Sequence, residues 1–390
     1  MKLEMMGASI KDEEHRQLVI NITDHNLEPF PDYCIYWVHR SLRKVNEDAY
    51  TPQLISIGPL HQGKEELVNM EKHKTRYMES VLQRINLERW EQMLTFIKNN
   101  EQQIRNCYAK ASDLGSTEFV GIILYDTIFI IELFWRYFNY SFYASDYLIY
   151  NPSLDSVLRI ELLELENQLP YFILEELYRL AYVSPHHPTF MELSCNYFDH
   201  EMFNGIPRCT ALDSGVKFKG IKRECLRDIR FERRHQRIPC FKIHELQIPC
   251  LEVDYRTETI LRNVMAFEQY HYPWDTGVCS YVDLIDQLID TGKDVDLLIE
   301  GGIIINSLGD NASITNMFNK LCSQTGFVGS CYYDLCEELK AHYNNPLNHT
   351  KATLNRVYFS NLWKGTATVA AGLLLLLTMI QAMTSIKQVA

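Results

Sequence analysis

Three acidic residues, Glu161, Glu164 and Glu166, lie beside Asn167 and Gln168 just ahead of Pro170. Paired carboxylates do general acid and base work when burial or close pairing moves their pKa values apart. With His61 or His73 as proton partner, Glu164 or Glu166 would supply the machinery of a hydrolase-like enzyme. The plainer reading has Glu161 and Glu164 facing water while Asn167 and Gln168 satisfy free carbonyls at a helix end. The sequence favours this plainer reading.

Other clusters carry less chemistry. Asp283, Asp286 and Asp290 share one helical face, with Asp294 and Asp296 following. The ligand order and glycine of a calcium loop are missing, so a solvated face is expected. Cys331, Cys336 and His342 offer three metal ligands, but without a second cysteine pair they read as buried structural thiols. His186-His187 reads as part of a solvated loop, and His244-Glu245 has no second histidine one helical turn on. Phosphate loop, dinucleotide fingerprint, zinc-helix and nucleophile-elbow patterns are all missing. The expectation is a protein that is not an enzyme and that holds no metal or cofactor.

The basic residues Lys222, Arg223, Arg227, Arg230, Arg233, Arg234 and Arg237 crowd one stretch. On a helix, Arg223, Arg227, Arg230, Arg234 and Arg237 would form a stripe suited to anionic lipid headgroups or an acidic partner. A strand would disperse that stripe, and Glu224, Asp228 and Glu232 partly neutralise it. The net charge of −12 argues against a general nucleic-acid binder, which needs a dominant positive field.

These residues need a frame to hold them. Hydrophobic residues make up 46% of the 390-residue chain and charged residues 23%, a globular balance. Apolar residues recur at helical spacing over about 64–85 (Leu67, Met70, Tyr77, Met78, Val81) and 88–107 (Trp90, Leu94, Ile97, Ile104). Phe119 to Phe138 is apolar almost all round, but Asp126, Glu132 and Arg136 make it a core helix rather than a bilayer span. Helix continues from Ser153 to Leu169, stops at Pro170 and restarts with YFILEELYRL. Residues 183–213, rich in Pro, His, Asn and Cys, read as a long loop. Short β-friendly pieces between Val216 and Val253 suggest a small antiparallel element, and helices resume at 257–270, 281–298 and 314–322. The fold class is therefore mainly α: a helical body over 33–360 with its β-rich part at about 216–253, after a variable lead-in over 1–32.

From Gly365 to Ile386 no residue is charged. At 1.5 Å per residue this stretch is long enough for a hydrocarbon core of about 30 Å. A single transmembrane helix over 365–386, with a short tail over 387–390, is expected in the plasma membrane or an endomembrane. Lys351, Arg356 and Lys364 before the stretch, against Lys387 after it, would place the body in the cytosol. The 11 cysteines, odd in number and loosely spaced, fit free thiols in a reducing compartment. Sequons begin at Asn21, Asn139, Asn311 and Asn348 and would matter only for a translocated body.

Several strings together resemble one plant family. They are YTPQLISIGPLHQGKEELVNMEKHKTRYM (50–78), LELENQLPYFILEEL (163–177), SGVKF (214–218), IPCLEVDYRTETILRNVMAFEQ (248–269) and YVDLIDQLIDTGKDVDLL (281–298). The chain is similar to the plant "domain of unknown function 247" family over about 33–386. The resemblance implies membrane association through one C-terminal span and no established enzymatic activity. Some grass members are implicated in self-incompatibility, which implies a recognition or signalling role with an unidentified protein partner. Among the motif residues, Glu166, Asn167, Gln168 and Pro170 are expected to form a buried polar network at a helix junction. Arg262, Asn263 and Glu268 are expected to lock another helix to it. Partner contacts are expected on irregular loops such as 183–213, with Arg227, Arg230, Arg234 and Arg237 as further candidates.

Overall fold

In the computed structural model, residues 33–143, 146–182, 187–202, 216–221, 226–235, 242–323, 330–344 and 362–389 are described. The chain divides into two compact units. One takes residues up to His39 with Thr51–Ser194, and the other takes Arg40–Tyr50 with Cys195–Ala390.

The first unit is helical: α1 (Val68–Leu82), α2 (Leu87–Asn99), α3 (Glu101–Asn106), α4 (Ser116–Phe138), α5 (Pro152–Glu161) and α6 (Tyr171–Ala181). Helix α7 (Phe190–Met202) begins in this unit and ends in the other. Local chemistry sets the boundaries. Asn86 caps α2 by accepting the Arg89 N–H at 3.0 Å. Asn151 caps α5 through Ser153 and Leu154, with Pro152 in the first turn, where a missing N–H costs nothing. Helix α4 is the centre, with α1, α2 and α6 packed on it. Phe119, Ile123, Phe129 and Leu133 are buried, and Phe129 stacks on Tyr77 of α1 at 5.3 Å. The run that looked long enough for a bilayer is thus a core helix, and its charges are used inside the protein.

The second unit contains β1 (Val216–Ile221), β2 (Arg230–His235), β3 (Lys242–Pro249), β4 (Leu251–Val253) and β5 (Ile304–Asn306). Its helices are α8 (Thr257–His271), α9 (Gly277–Leu288), α10 (Gly292–Glu300), α11 (Asn311–Cys322), α12 (Tyr333–Asn344) and α13 (Leu362–Val389). The three-stranded sheet has the order β1-β3-β2. Strand β2 runs antiparallel to β3, with Phe231 opposite Leu246, and β1 runs parallel to it, with Phe218 opposite Leu246. The expected antiparallel element is therefore a mixed sheet. A parallel pair needs a connection of about a dozen residues or more, and the segment between β1 and β3 supplies it. A separate parallel pair joins β4 to β5. Leu246, Ile248 and Val253 join Leu261, Met265, Tyr281, Ile285, Ile304 and Phe318 in one core.

Two expectations need correcting. Residues 190–202 of the expected long loop are helical, with Phe190 and Leu193 buried. Among the described residues, no helix is long and apolar enough to cross a membrane. Helix α13 covers the expected span, but Thr366, Thr378 and Gln381 stand among its apolar residues and lower its mean hydropathy. The transmembrane helix over 365–386 is withdrawn. The single-pass localisation goes with it, and so does the orientation drawn from its flanks.

Candidate functional site

The ENQLP stretch between α5 and α6 closes onto the segment 53–61, and nearly every contact is a side chain meeting backbone. Glu161, at the end of α5, accepts three successive backbone N–H groups, from Gln53 at 2.8 Å, Leu54 at 2.7 Å and Ile55 at 2.7 Å. Burial pushes its carboxyl up, and those three bonds pull against the shift. Asn167 continues the pattern. Its Oδ1 accepts Ile57 N–H at 2.6 Å, and its Nδ2 donates to the carbonyls of Ile55 and Glu161 at 3.0 Å each. Gln168 donates to the carbonyls of Leu162 at 2.7 Å and Glu164 at 2.8 Å, so it does satisfy a helix end. Its own carbonyl accepts the Tyr108 hydroxyl at 3.0 Å. Pro170 then opens α6.

Gly58 lies where this clamp is tightest. Its φ is +72°, and a Cβ there would stand 2.8 Å from the Gln168 carbonyl oxygen and 2.9 Å from the Tyr108 hydroxyl. Its N–H donates to Asp126 Oδ2 at 2.8 Å. The other Asp126 oxygen meets Lys74 Nζ at 2.6 Å, and Lys74 also donates to the Ser56 carbonyl at 2.6 Å. Burial drives the Asp126 carboxyl up, and the ammonium of Lys74 opposes it. Lys74 is itself raised: burial alone would lower it, but Asp126 and Glu71 outweigh that effect.

Glu166 accepts the Val38 N–H at 2.7 Å through Oε1, and its Oε2 lies 3.0 Å from His61 Nε2. The histidine and glutamate that an acid–base enzyme would need are therefore brought within 3.0 Å of each other. They are also enclosed, with His61 3% exposed and Glu166 fully buried, and the His61 ring stacks on Trp37. His73 stands elsewhere, stacked on Tyr147 at 5.8 Å. Glu161 and Glu164, expected in the plainer reading to face water, are each 3% exposed. A cleft of about 280 Å³ opens in the same unit between Arg84, Arg89, Trp135, Tyr182 and His187. Neither His61 nor any of the three glutamates lines it.

Beside that cleft runs a second buried network that the sequence reading saw only as charges inside an apolar helix. Arg136 joins Glu132 at 2.6 Å and Asp146 at 2.5 Å. Glu132 also meets Arg84 and accepts the Tyr182 hydroxyl. Asp146 accepts the Tyr77 hydroxyl at 2.9 Å and the Leu148 N–H at 3.0 Å. Burial alone would raise the Asp146 carboxyl, but its bonds from Arg136 and Tyr77 and the Arg136 charge hold it below the usual range. Acidic residues recurring within so apolar a helix were the signal for this network.

In the second unit, Arg262 meets Glu258 at 2.9 Å, and Glu258 also accepts from Asn46. Asn263 donates to the Ala49 carbonyl at 2.6 Å. Glu268 accepts the N–H groups of Val278 and Cys279, at 2.9 Å each, and so caps α9 from outside. These three residues tie α8 to neighbours within their own unit. Arg227 forms a two-pronged pair with Asp275, at 2.6 and 3.3 Å, and Arg230 pairs with Asp228 at 2.9 Å. Arg230 and Arg234 lie on strand β2, which disperses the helical stripe, and Arg237 lies outside the described residues. Asp294 forms a capping box with Thr291, and Asp296 accepts from Asn311. Among the described residues, no group of three His, Cys, Asp or Glu side chains is placed to hold a metal ion.

This is a mainly helical chain of two units, in which buried carboxylates and amides hold backbone in place of strands. The chain belongs to the family described as "Plant protein of unknown function", DUF247, whose family model matches residues 35–206 and 199–377. It is similar to the UPF0481 protein At3g47200 of Arabidopsis thaliana, 24% identical over 90% of this chain and 86% of the relative. It is also similar to At3g02645 of the same plant, another protein named for UPF0481, 20% identical over 94% and 92% of the two chains. No solved structure matches the chain.

Proposed function

We propose that the protein is a non-catalytic recognition module that binds another protein through an aromatic turn at the end of α8. One observation carries this reading. Trp274 is 86% exposed at the tip of a hydrogen-bonded turn. The turn Tyr272-Pro273-Trp274-Asp275 is closed by Asp275 N–H donating to the Tyr272 carbonyl at 2.9 Å, with proline in the position it favours. Arg227 grips Asp275, and its guanidinium packs where a side chain on residue 277 would otherwise stand, so any larger residue there would have to displace it. Phe267, His271 and Tyr272 cluster behind the tip, with ring centroids 4.6–5.8 Å apart. Tryptophan and tyrosine are enriched among the anchors of protein interfaces, because burying them recovers much area at little entropic cost. A recognition or signalling role of the kind the family resemblance implies belongs to this reading.

A photo-crosslinking residue placed at Trp274 in the full-length protein, expressed in plant cells, tests it. Crosslinks to a discrete protein from position 274, with none from Leu87, which is also well exposed at 72%, are the expected result. Equal crosslinking from both positions would contradict the reading. A hydrolase-like enzyme is the second reading, and the His61–Glu166 pair at 3.0 Å is what favours it. Glu166 is already committed to the Val38 N–H, and both side chains are enclosed. Both facts weigh against catalysis, since an acid or base must reach its substrate.

A further inference from the structure

We propose that Cys34 and Cys107 form a peroxide-reactive thiol pair, with Cys34 the attacking sulfur and Cys107 the resolving one. The two residues are held side by side by backbone. Ile35 and Tyr108 form a parallel β-bridge, and the N–H groups of Cys34 and Ile35 both donate to the Cys107 carbonyl at 2.9 Å. Ala109 N–H closes the bridge onto the Ile35 carbonyl at 2.8 Å. Each cysteine immediately precedes a bridge partner, and the two thiols are within hydrogen-bonding reach of one another. Paired backbones run about 4.8 Å apart, inside the roughly 4.4–6.8 Å between Cα atoms that a disulfide spans.

The two thiols differ in ways that divide the roles. Cys34 is exposed, whereas Cys107 is buried. Cys107 follows the last residue of α3, with its sulfur 3.3 Å from the Gln103 carbonyl. A hydrogen bond from Cys107 holds the Cys34 thiol down at about 7, so a large share is thiolate near neutral pH.

The reaction balances with a hydroperoxide as oxidant. The Cys34 thiolate attacks hydrogen peroxide, breaking its O–O bond, and becomes a sulfenic acid while hydroxide leaves and takes up a proton as water. The Cys107 sulfur then attacks the Cys34 sulfur. The S–S bond forms, the S–O bond breaks, and the departing oxygen leaves as a second water with the Cys107 proton. Two thiols have lost two electrons, and one peroxide has gained them. The product ties the segment around Cys34, including Val38 on Glu166, covalently to the end of α3.

The full-length protein is treated with hydrogen peroxide, its remaining thiols are blocked with N-ethylmaleimide, and the digest is read by mass spectrometry. A peptide joined through Cys34 and Cys107 is expected as the dominant disulfide, reversed by dithiothreitol. In the Cys107→Ser variant, dimedone is expected to trap sulfenic acid at Cys34. In the Cys34→Ser variant, Cys107 is expected to stay reduced. The proposal is overturned if Cys34 and Cys107 remain thiols while the exposed Cys195 and Cys331 oxidise, or if Cys34 pairs with another cysteine. The wild-type map decides the matter even if a variant folds poorly.

Discussion

Asn167 meets Ile57 as one strand meets the next, accepting its N–H at 2.6 Å while donating to the Ile55 carbonyl at 3.0 Å. A single carboxamide thus does for two turns of irregular chain what a β-ladder does elsewhere. It works because an amide side chain carries the same donor and acceptor as a peptide group. Glu161 and Glu166 extend the arrangement with charged acceptors, which bind N–H groups more strongly than neutral ones.

Replacing Glu161 with Gln leaves one acceptor oxygen and turns an N–H toward a backbone N–H. The expected loss is about 2 kcal/mol, from one buried donor left unsatisfied. Urea denaturation of wild type and variant measures it. A midpoint unchanged within error would mean that the three bonds to residues 53–55 contribute nothing net.

Lys74→Met removes the only cation within 4 Å of Asp126 among the described residues. Breaking one side of a buried pair costs about 3–5 kcal/mol, because the partner charge stays buried and uncompensated. Adding Asp126→Asn is expected to recover part of that loss. A double-mutant cycle with no coupling would show that the two side chains act independently.

Gly58→Ala places a methyl group 2.8 Å from the Gln168 carbonyl at a positive φ. The left-handed backbone alone costs a non-glycine residue about 1 kcal/mol or more, and the close approach adds to it. Gly63, also at positive φ but with no atom within 4 Å of a Cβ, serves as the control. Thermal unfolding of both alanine variants is expected to show the larger loss at position 58.

Asp146 titrates below the usual carboxylate range in the folded protein. A lowered carboxyl stabilises the fold fully above its unfolded value of about 4, and that stabilisation fades as pH falls through the lower folded value. Asp126 and Glu161 are raised and have the opposite sign: their contribution is greatest in acid and is lost as pH rises. Asp146→Asn is therefore expected to be less stable near neutrality and to lose less on acidification than wild type. Denaturation midpoints between about pH 6 and pH 3 read the difference. Parallel curves would contradict the assignment.

Helical periodicity made α1, α2 and α4 legible, and Pro170 marked the junction where the clamp is built. What Glu161 and Glu164 do was not legible, since a glutamate near a helix end looks solvated until its partners are known. Those partners lie about a hundred residues earlier in the chain. Sheet order was hidden for a similar reason: β3 pairs with β1 on one side and β2 on the other, and local spacing shows neither partner. Residues 190–202 read as loop because polar composition outweighed the spacing of Phe190, Leu193 and Tyr197. For the C-terminal stretch, the missing charges were counted, and the polar side chains of Thr378 and Gln381 were given too little weight.

The central claim is that the ENQLP residues hold backbone rather than perform chemistry, and amide hydrogen exchange on the Asn167→Ala variant tests it most directly. The account predicts that the amides of residues 53–58 exchange much faster than in wild type while those of α8 and α9 keep their protection. Unchanged protection over 53–58 would contradict it, and would return Glu166 and His61 to consideration as working groups.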